Sequence, residues 1–183
     1  MQEVKTEKYK GLDIKICIDE SPETPRNFDN LGTMACFHRK YELGDNHDFS
    51  TPDDLEEYMT KNEVIKLPLY LYDHSGITMK TTPFSCRWDS GQVGFIYTTK
   101  DKVREEFSVK RISQKIRKRV LEILKSEVKI YDAYISGEVY GYQIENNGDI
   151  IDSCWGFFDD IDYVMQTAKE EADCFSCEEA IAE

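Results

Sequence analysis

The feature that most restricts this chain is a stripe of apolar residues, Ile112, Ile116, Val120, Ile123, Leu124, Val128, Tyr131 and Ile135, recurring every three or four positions and followed by Gly137. That period places one apolar face along a helix from about Ile112 to Ser136, and a glycine just beyond the last repeat is the usual stop. Residues 138–145 and 149–157 follow as two strands joined by Asn146-Asn147-Gly148, whose residues tolerate the positive φ of a tight hairpin. A last amphipathic helix covers about Asp159 to Asp173. The chain therefore reads as α+β, with a mainly antiparallel sheet, a long amphipathic helix and a C-terminal hairpin-helix.

Upstream, residues 12–18 alternate apolar and polar with period two, as a half-buried strand does, and Pro22 and Pro25 end it. Residues 33–38 form a second short strand. Ser50-Thr51-Pro52 with Asp53 and Asp54 starts a helix that runs to about Lys61: a hydroxyl cap, a proline in the first turn and carboxylates at the positive end. Residues 64–72 and 92–98 are the next strands, with an edge or a bulge expected at Pro68. Between them the sequence predicts a loop of about twenty residues, Asp73 to Gly91, and ordered loops of that length are uncommon and often functional. A short helix spans Lys100 to Phe107.

At 183 residues the chain has the length of one domain, 1–183, with a possible division near residue 108 into a sheet half (1–107) and a helix-hairpin-helix half (108–183). No window approaches the ~18 apolar residues of a spanning helix, and Met1 to Lys10 lacks the apolar run of a secretory leader, so no membrane partner and a cytoplasmic location are expected. Most of the six cysteines sit in apolar or aromatic stretches and are expected to be reduced. Cys174 and Cys177 form a lone Cys-x-x-Cys without two further ligands at matching spacing, so no structural zinc site is expected.

The densest polar cluster is Asp73-His74-Ser75-Gly76 with Cys86-Arg87-Trp88-Asp89-Ser90-Gly91-Gln92. An imidazole, carboxylates and a guanidinium in one pocket suffice for acid-base cleavage of a phosphodiester: His74, Asp73 or Asp89 moves protons and Arg87 stabilises the developing charge. Asp73 and Asp89 are equally suited to positioning one divalent metal, which leaves the cofactor open. The same strings are common turn sequences, in which the Asp caps its own backbone, the Gly takes positive φ and Trp88 plugs the loop onto the core.

Formal net charge is −13, yet residues 108–121 hold Lys110, Arg111, Lys115, Arg117, Lys118 and Arg119 with no acid among them. Such a face grips nucleic-acid phosphates, or it is a solvated surface paired with neighbouring acids. From Ile151 to Glu183 there are ten acids and one base, Lys169, which repels nucleic acid and favours a basic protein surface. Aromatics beside these clusters, Trp88 among them, are of a kind that stacks on bases.

Long strings of the chain, Asn27-Phe-Asp-Asn-Leu-Gly-Thr-Met-Ala-Cys-Phe-His-Arg, Leu67-Pro-Leu-Tyr-Leu-Tyr-Asp-His-Ser-Gly-Ile-Thr-Met, Trp88-Asp-Ser-Gly-Gln-Val-Gly-Phe-Ile-Tyr and Asp152-Ser-Cys-Trp-Gly-Phe, resemble a family of small acidic proteins carried by phages and mobile elements of Gram-positive bacteria. In size and acidity the chain is also similar to type II-A anti-CRISPR proteins, particularly the kind that causes truncation of the guide RNA. The resemblance implies an inhibitor of a type II CRISPR effector nuclease that promotes cleavage of its guide RNA, acidic surface toward the cationic effector and basic helix toward the RNA. It supplies no active residues. Two other readings stay open: a stoichiometric acidic blocker of the effector's nucleic-acid groove without catalysis, and a mobile-element regulator that binds nucleic acid through residues 110–119.

Overall fold

A computed structural model describes residues 2–179, with side chains through residue 175. Among the described residues, eight strands, all paired antiparallel, and four α-helices make the expected α+β architecture. The chain divides into an inserted unit, Thr24–Ser136, and a terminal unit made of Met1–Glu23 with Gly137–Glu183. The units part after Glu23 and Ser136 rather than near residue 108.

The terminal unit is two hairpins and a helix. Strands β1 (Glu3–Tyr9) and β2 (Leu12–Ile18) form the first hairpin, and β7 (Tyr140–Asn146) and β8 (Asp149–Phe157) the second. They make one sheet in the order β1-β2-β7-β8. The β7–β8 turn is the one its residues dictate, with Asn147 at φ 52° and Gly148 at φ 94°. Ile14, Ile16, Tyr142 and Ile144 face one side and pack on Val164, Met165, Ala168 and Ala172 of α4 (Ile161–Glu179). Each fully buried isoleucine there is worth about 1.5–3 kcal/mol over its exposed state. Strand β1 is absent from the sequence reading because Glu3, Lys5, Glu7 and Lys8 put charge on both faces of an exposed edge strand. Lys5 reaches Asp162 at 2.7 Å and Glu7 reaches Lys169 at 2.6 Å, tying β1 to α4. Cys17, Cys36, Cys86, Cys154 and Cys174 are free thiols. The side chain of Cys177 and residues 180–183 of the acidic run lie outside the described residues.

In the inserted unit, β3 (Thr33–Cys36), β6 (Ser90–Thr98), β4 (Ile65–Asp73) and β5 (Ile77–Lys80) form a second sheet in the order β3-β6-β4-β5. Successive side chains alternate between its faces. Met34, Leu69, Leu71, Met79 and Ile96 meet Val120, Leu124, Val128 and Tyr131 of α3 (Gln114–Ser136). Their neighbours Ala35 and Tyr97 meet Leu55 and Met59 of α1 (Pro52–Lys61). The start of α1 carries a reciprocal cap: Asp54 N donates to Thr51 Oγ1 at 3.2 Å, and Thr51 N donates to Asp54 Oδ2 at 2.9 Å. Helix α2 (Lys100–Glu106) buries Val103.

Two local expectations change. The missing donor of Pro68 falls where β4 has only β6 beside it, since β5 pairs from Tyr70 onward, and the bulge comes one step later, between Leu69 and Tyr70. The long loop from Asp73 to Gly91 is broken by β5, whose Thr78 Oγ1 and Met79 N both donate to Asp132 of α3, at 2.8 and 2.7 Å. What remains is a tight turn at Ser75 and Gly76, both at positive φ, and a shorter loop over 81–89.

Candidate functional site

The inserted unit holds a broad open groove of about 1440 Å³ between the chain that follows β3, the paired ends of β4 and β6, and Tyr131 and Tyr134 of α3. Its floor is set by buried charge. The Arg26 side chain is 6% exposed and meets Asp45 in a two-pronged ion pair, at 2.7 and 2.8 Å, while its Nη1 approaches Glu127 at 3.4 Å. Glu127 accepts the backbone N–H of Leu31 at 2.8 Å and of Gly32 at 3.1 Å. Asp45 accepts that of Met34 at 2.8 Å. Burial pushes the Glu127 carboxyl upward, against the pull of the Gly32 amide and Arg26. Gly44 is tied to the Tyr131 hydroxyl at 2.7 Å, and at φ 76° a Cβ there would lie 2.6 Å from the Met34 carbonyl oxygen, so only glycine fits. These contacts fix the otherwise irregular chain from His38 to His47. Cys36, beneath it, has its thiol pushed up to about 12 by burial.

Asp73 and Asp89 occupy facing positions where the β4–β6 ladder ends, and Asp73 N donates to Asp89 O at 2.8 Å. Their carboxylates have different partners. Asp73 accepts from Lys40 Nζ at 3.3 Å and from the Tyr41 hydroxyl at 3.2 Å. Lys40 above all, helped by Tyr41 and by the charge of His38, holds Asp73 below the usual carboxylate range, against the opposing effect of burial. Asp89 Oδ2 accepts the Cys86 thiol at 3.4 Å and lies 3.6 Å from His74 Nδ1. The Ser90 hydroxyl closes the loop onto the Cys86 carbonyl.

Of the expected catalytic set, the structure thus brings His74 to Asp89 and places Asp73 in the groove beside them, bonded elsewhere. Arg87 is exposed and makes no ion pair or hydrogen bond among the described residues. Trp88 does not plug the loop onto the core: it stands 96% exposed on the groove's rim. Beside His74 runs a short aromatic row, Tyr72 at 6.1 Å and then Phe84 stacked at 5.4 Å, with Lys80 over the Phe84 ring at 3.9 Å. Among the described residues, no three His, Cys, Asp or Glu side chains are grouped to hold a metal ion. Both oxygens of Asp73 and Oδ2 of Asp89 are engaged with separate partners.

The six basic residues, Lys110 and Arg111 just before α3 and Lys115, Arg117, Lys118 and Arg119 in its first turns, are all exposed. Lys118 lies 4.0 Å from Glu122, and Arg119 stands over the Phe107 ring at 5.5 Å. Lys110, Arg111, Lys115 and Arg117 have no acidic partner among the described residues, so the paired-surface reading does not describe them. The helix has no acid in its first turn, which leaves this positive charge at the positive end of the helix dipole, an unfavourable placement unless an anion is bound. From Lys115 to Tyr134 the helix rises about 29 Å at 1.5 Å per residue. The basic end and the groove therefore cannot grip the same phosphate, whereas one strand of nucleic acid can span both.

The partition of charge follows the units. The inserted unit has 18 Lys and Arg against 17 Asp and Glu, and the terminal unit 5 against 19. Sequence reasoning found the basic run but missed the lysine, tyrosine and histidine of segment 38–41, where His38 and Tyr41 stack at 5.0 Å, because nothing local marks that segment as facing Asp73. Among family models, curated proteins and solved structures, nothing matches this chain significantly.

Proposed function

We propose that the inserted unit binds single-stranded RNA, with the start of α3 gripping phosphates and Trp88 offering a stacking platform at the groove. The observation that carries this is four exposed cations without acidic partners, gathered on one short segment of a chain whose net charge is −13. Under the resemblance to type II-A anti-CRISPR proteins, the RNA is the guide of a type II effector nuclease and the chain is an inhibitor of that complex, its acidic terminal unit turned to the cationic effector.

A second reading, cleavage of the bound RNA, is favoured by the 3.6 Å approach of His74 Nδ1 to Asp89, which brings an imidazole and a carboxylate together next to an exposed tryptophan. In that step the free ring nitrogen of His74 takes the proton of a ribose 2′-hydroxyl, whose oxygen attacks the adjacent phosphorus. The bond to the 5′ oxygen breaks, that oxygen takes a proton from water, and a 2′,3′-cyclic phosphate remains. Lys80 and Arg87, which lie between His74 and Asp89 in the sequence, supply cations to stabilise the charge.

One experiment separates the readings. Labelled guide RNA is incubated with the protein, with and without the effector, and analysed both by native gel and by denaturing gel. Retention with intact RNA supports binding alone, fragments that vanish in His74→Ala support cleavage, and intact RNA without retention in every lane refutes both.

A further inference from the structure

The two edges of the terminal unit's sheet differ. At one edge β1 carries Glu3, Lys5, Glu7 and Lys8, and its lysines are engaged with acids of α4 and β2. Charged side chains, lysine above all, are the usual guard of an edge that must not pair with another chain. At the other edge β8 has nine residues, Asp-Ile-Ile-Asp-Ser-Cys-Trp-Gly-Phe, with no lysine, arginine or proline. It pairs with β7 alone, and among the described residues no backbone hydrogen bond joins it to any other segment. Nine residues of β8 oppose seven of β7, an edge of about 23 Å.

That edge is also apolar and open. Ile150 is 55% exposed, Ile151 38% and Trp155 37%. The Trp155 indole lies across Gly141 of β7, where a Cβ would run into it, so glycine holds the ring down along the strand. The guards of this edge are acidic only, Asp149 and Asp152, with two register shifts against β7, so an edge free of lysine, arginine and proline remains a template for one more strand of opposite charge.

We infer that β8 accepts an extended segment of a partner protein as a fifth strand, and that this segment is basic. The charge of the unit selects the occupant. With 5 bases against 19 acids, and Asp149, Asp152, Asp159 and Asp160 on or beside β8, a second copy of this chain would bring like charge against like. A strand alternating lysine or arginine with aliphatic residues meets Asp149 and Asp152 with its cations and Ile150 and Trp155 with its apolar side chains, while its backbone completes the ladder. This inference uses only the terminal unit and stands apart from the RNA reading.

The test uses the full chain and two labelled peptides, one alternating lysine with valine and one alternating glutamate with valine, titrated by fluorescence anisotropy. Hydrogen exchange locates the contact. The lysine peptide binds saturably and slows exchange along β8. Ile150→Lys, at a site already exposed, installs the missing guard and weakens binding roughly tenfold or more with an unchanged circular-dichroism spectrum. Four results would each overturn the inference: no binding, equal binding of the glutamate peptide, protection at β1 or α4 in place of β8, or a peptide-free dimer in sedimentation that Ile150→Lys dissolves.

Discussion

Neutralising Lys110, Arg111, Lys115 and Arg117 together tests the phosphate grip most directly, because the structure supplies the number of contacts. Binding of a cation face to a single strand releases counterions, and log K falls with log salt at a slope of about −0.7 per neutralised phosphate. Four cations free of acidic partners therefore set a slope near −2.8, and raising salt fourfold weakens binding by roughly 50-fold. Lys118 and Arg119 steepen it further if RNA draws them from Glu122 and Phe107. Each single alanine substitution lowers the slope by about 0.7, and the quadruple variant leaves it shallow. All four side chains are exposed, so thermal unfolding stays where it was in the parent protein. The assay is fluorescence anisotropy of a labelled single-stranded RNA titrated at several salt concentrations. A flat slope in the parent protein, or a slope untouched by the quadruple substitution, would refute the assignment of this face to phosphate.

Three other outcomes are expected. Trp88→Ala weakens the same RNA by about 1–3 kcal/mol, the worth of one stacked base, without moving the thermal midpoint of a side chain 96% exposed; anisotropy beside differential scanning calorimetry checks both halves. Arg26→Ala strands Glu127 and Asp45 without their cation and destabilises the inserted unit by about 3–5 kcal/mol in urea unfolding, whereas a change below 1 kcal/mol would mean the network is not holding the groove's floor. Asp73 has a folded pKa depressed by Lys40, so its contribution to stability is complete above its unfolded pKa near 3.8 and is lost as pH falls through the lower folded value. Accordingly the gap in thermal midpoint between the parent protein and Asp73→Asn closes below pH 4, and a gap constant with pH counts against the Lys40 contact.

What the sequence makes legible here is what local chemistry decides. Asn147 and Gly148 specify the β7–β8 turn through positive φ, Thr51 and Asp54 specify the start of α1 by capping each other, and the α3 stripe is long enough to declare its face. Strand β1 is hidden because an exposed edge strand need not alternate. Strand β5 is hidden because four residues carry too little pattern, and its anchor, Asp132, lies 54 residues from Thr78. The same distance problem conceals the groove. Arg26 and Glu127 are 101 residues apart and nothing near either one announces the other. The cluster at 73–91 was visible as residue types, yet only the fold shows that Asp73 turns to Lys40 while Asp89 turns to His74.

The division of charge between the units bears on how one chain can serve two kinds of surface. The terminal unit closes its sheet only by pairing β2 with β7, across the whole inserted unit, as in Ile14 with Ile144. Its acids therefore come from both ends of the sequence and gather in one body, whereas the basic run sits in the body between. A nucleic acid meets repulsion from the first and attraction from the start of α3; a basic protein meets the reverse. The inserted unit holds nearly as many acids as bases, yet none of its acids pairs with Lys110, Arg111, Lys115 or Arg117 among the described residues, which leaves that charge open to phosphate. The two surfaces should accordingly fail separately: neutralising α3 removes the salt-dependent RNA term and leaves the lysine peptide bound at β8, while Ile150→Lys does the opposite.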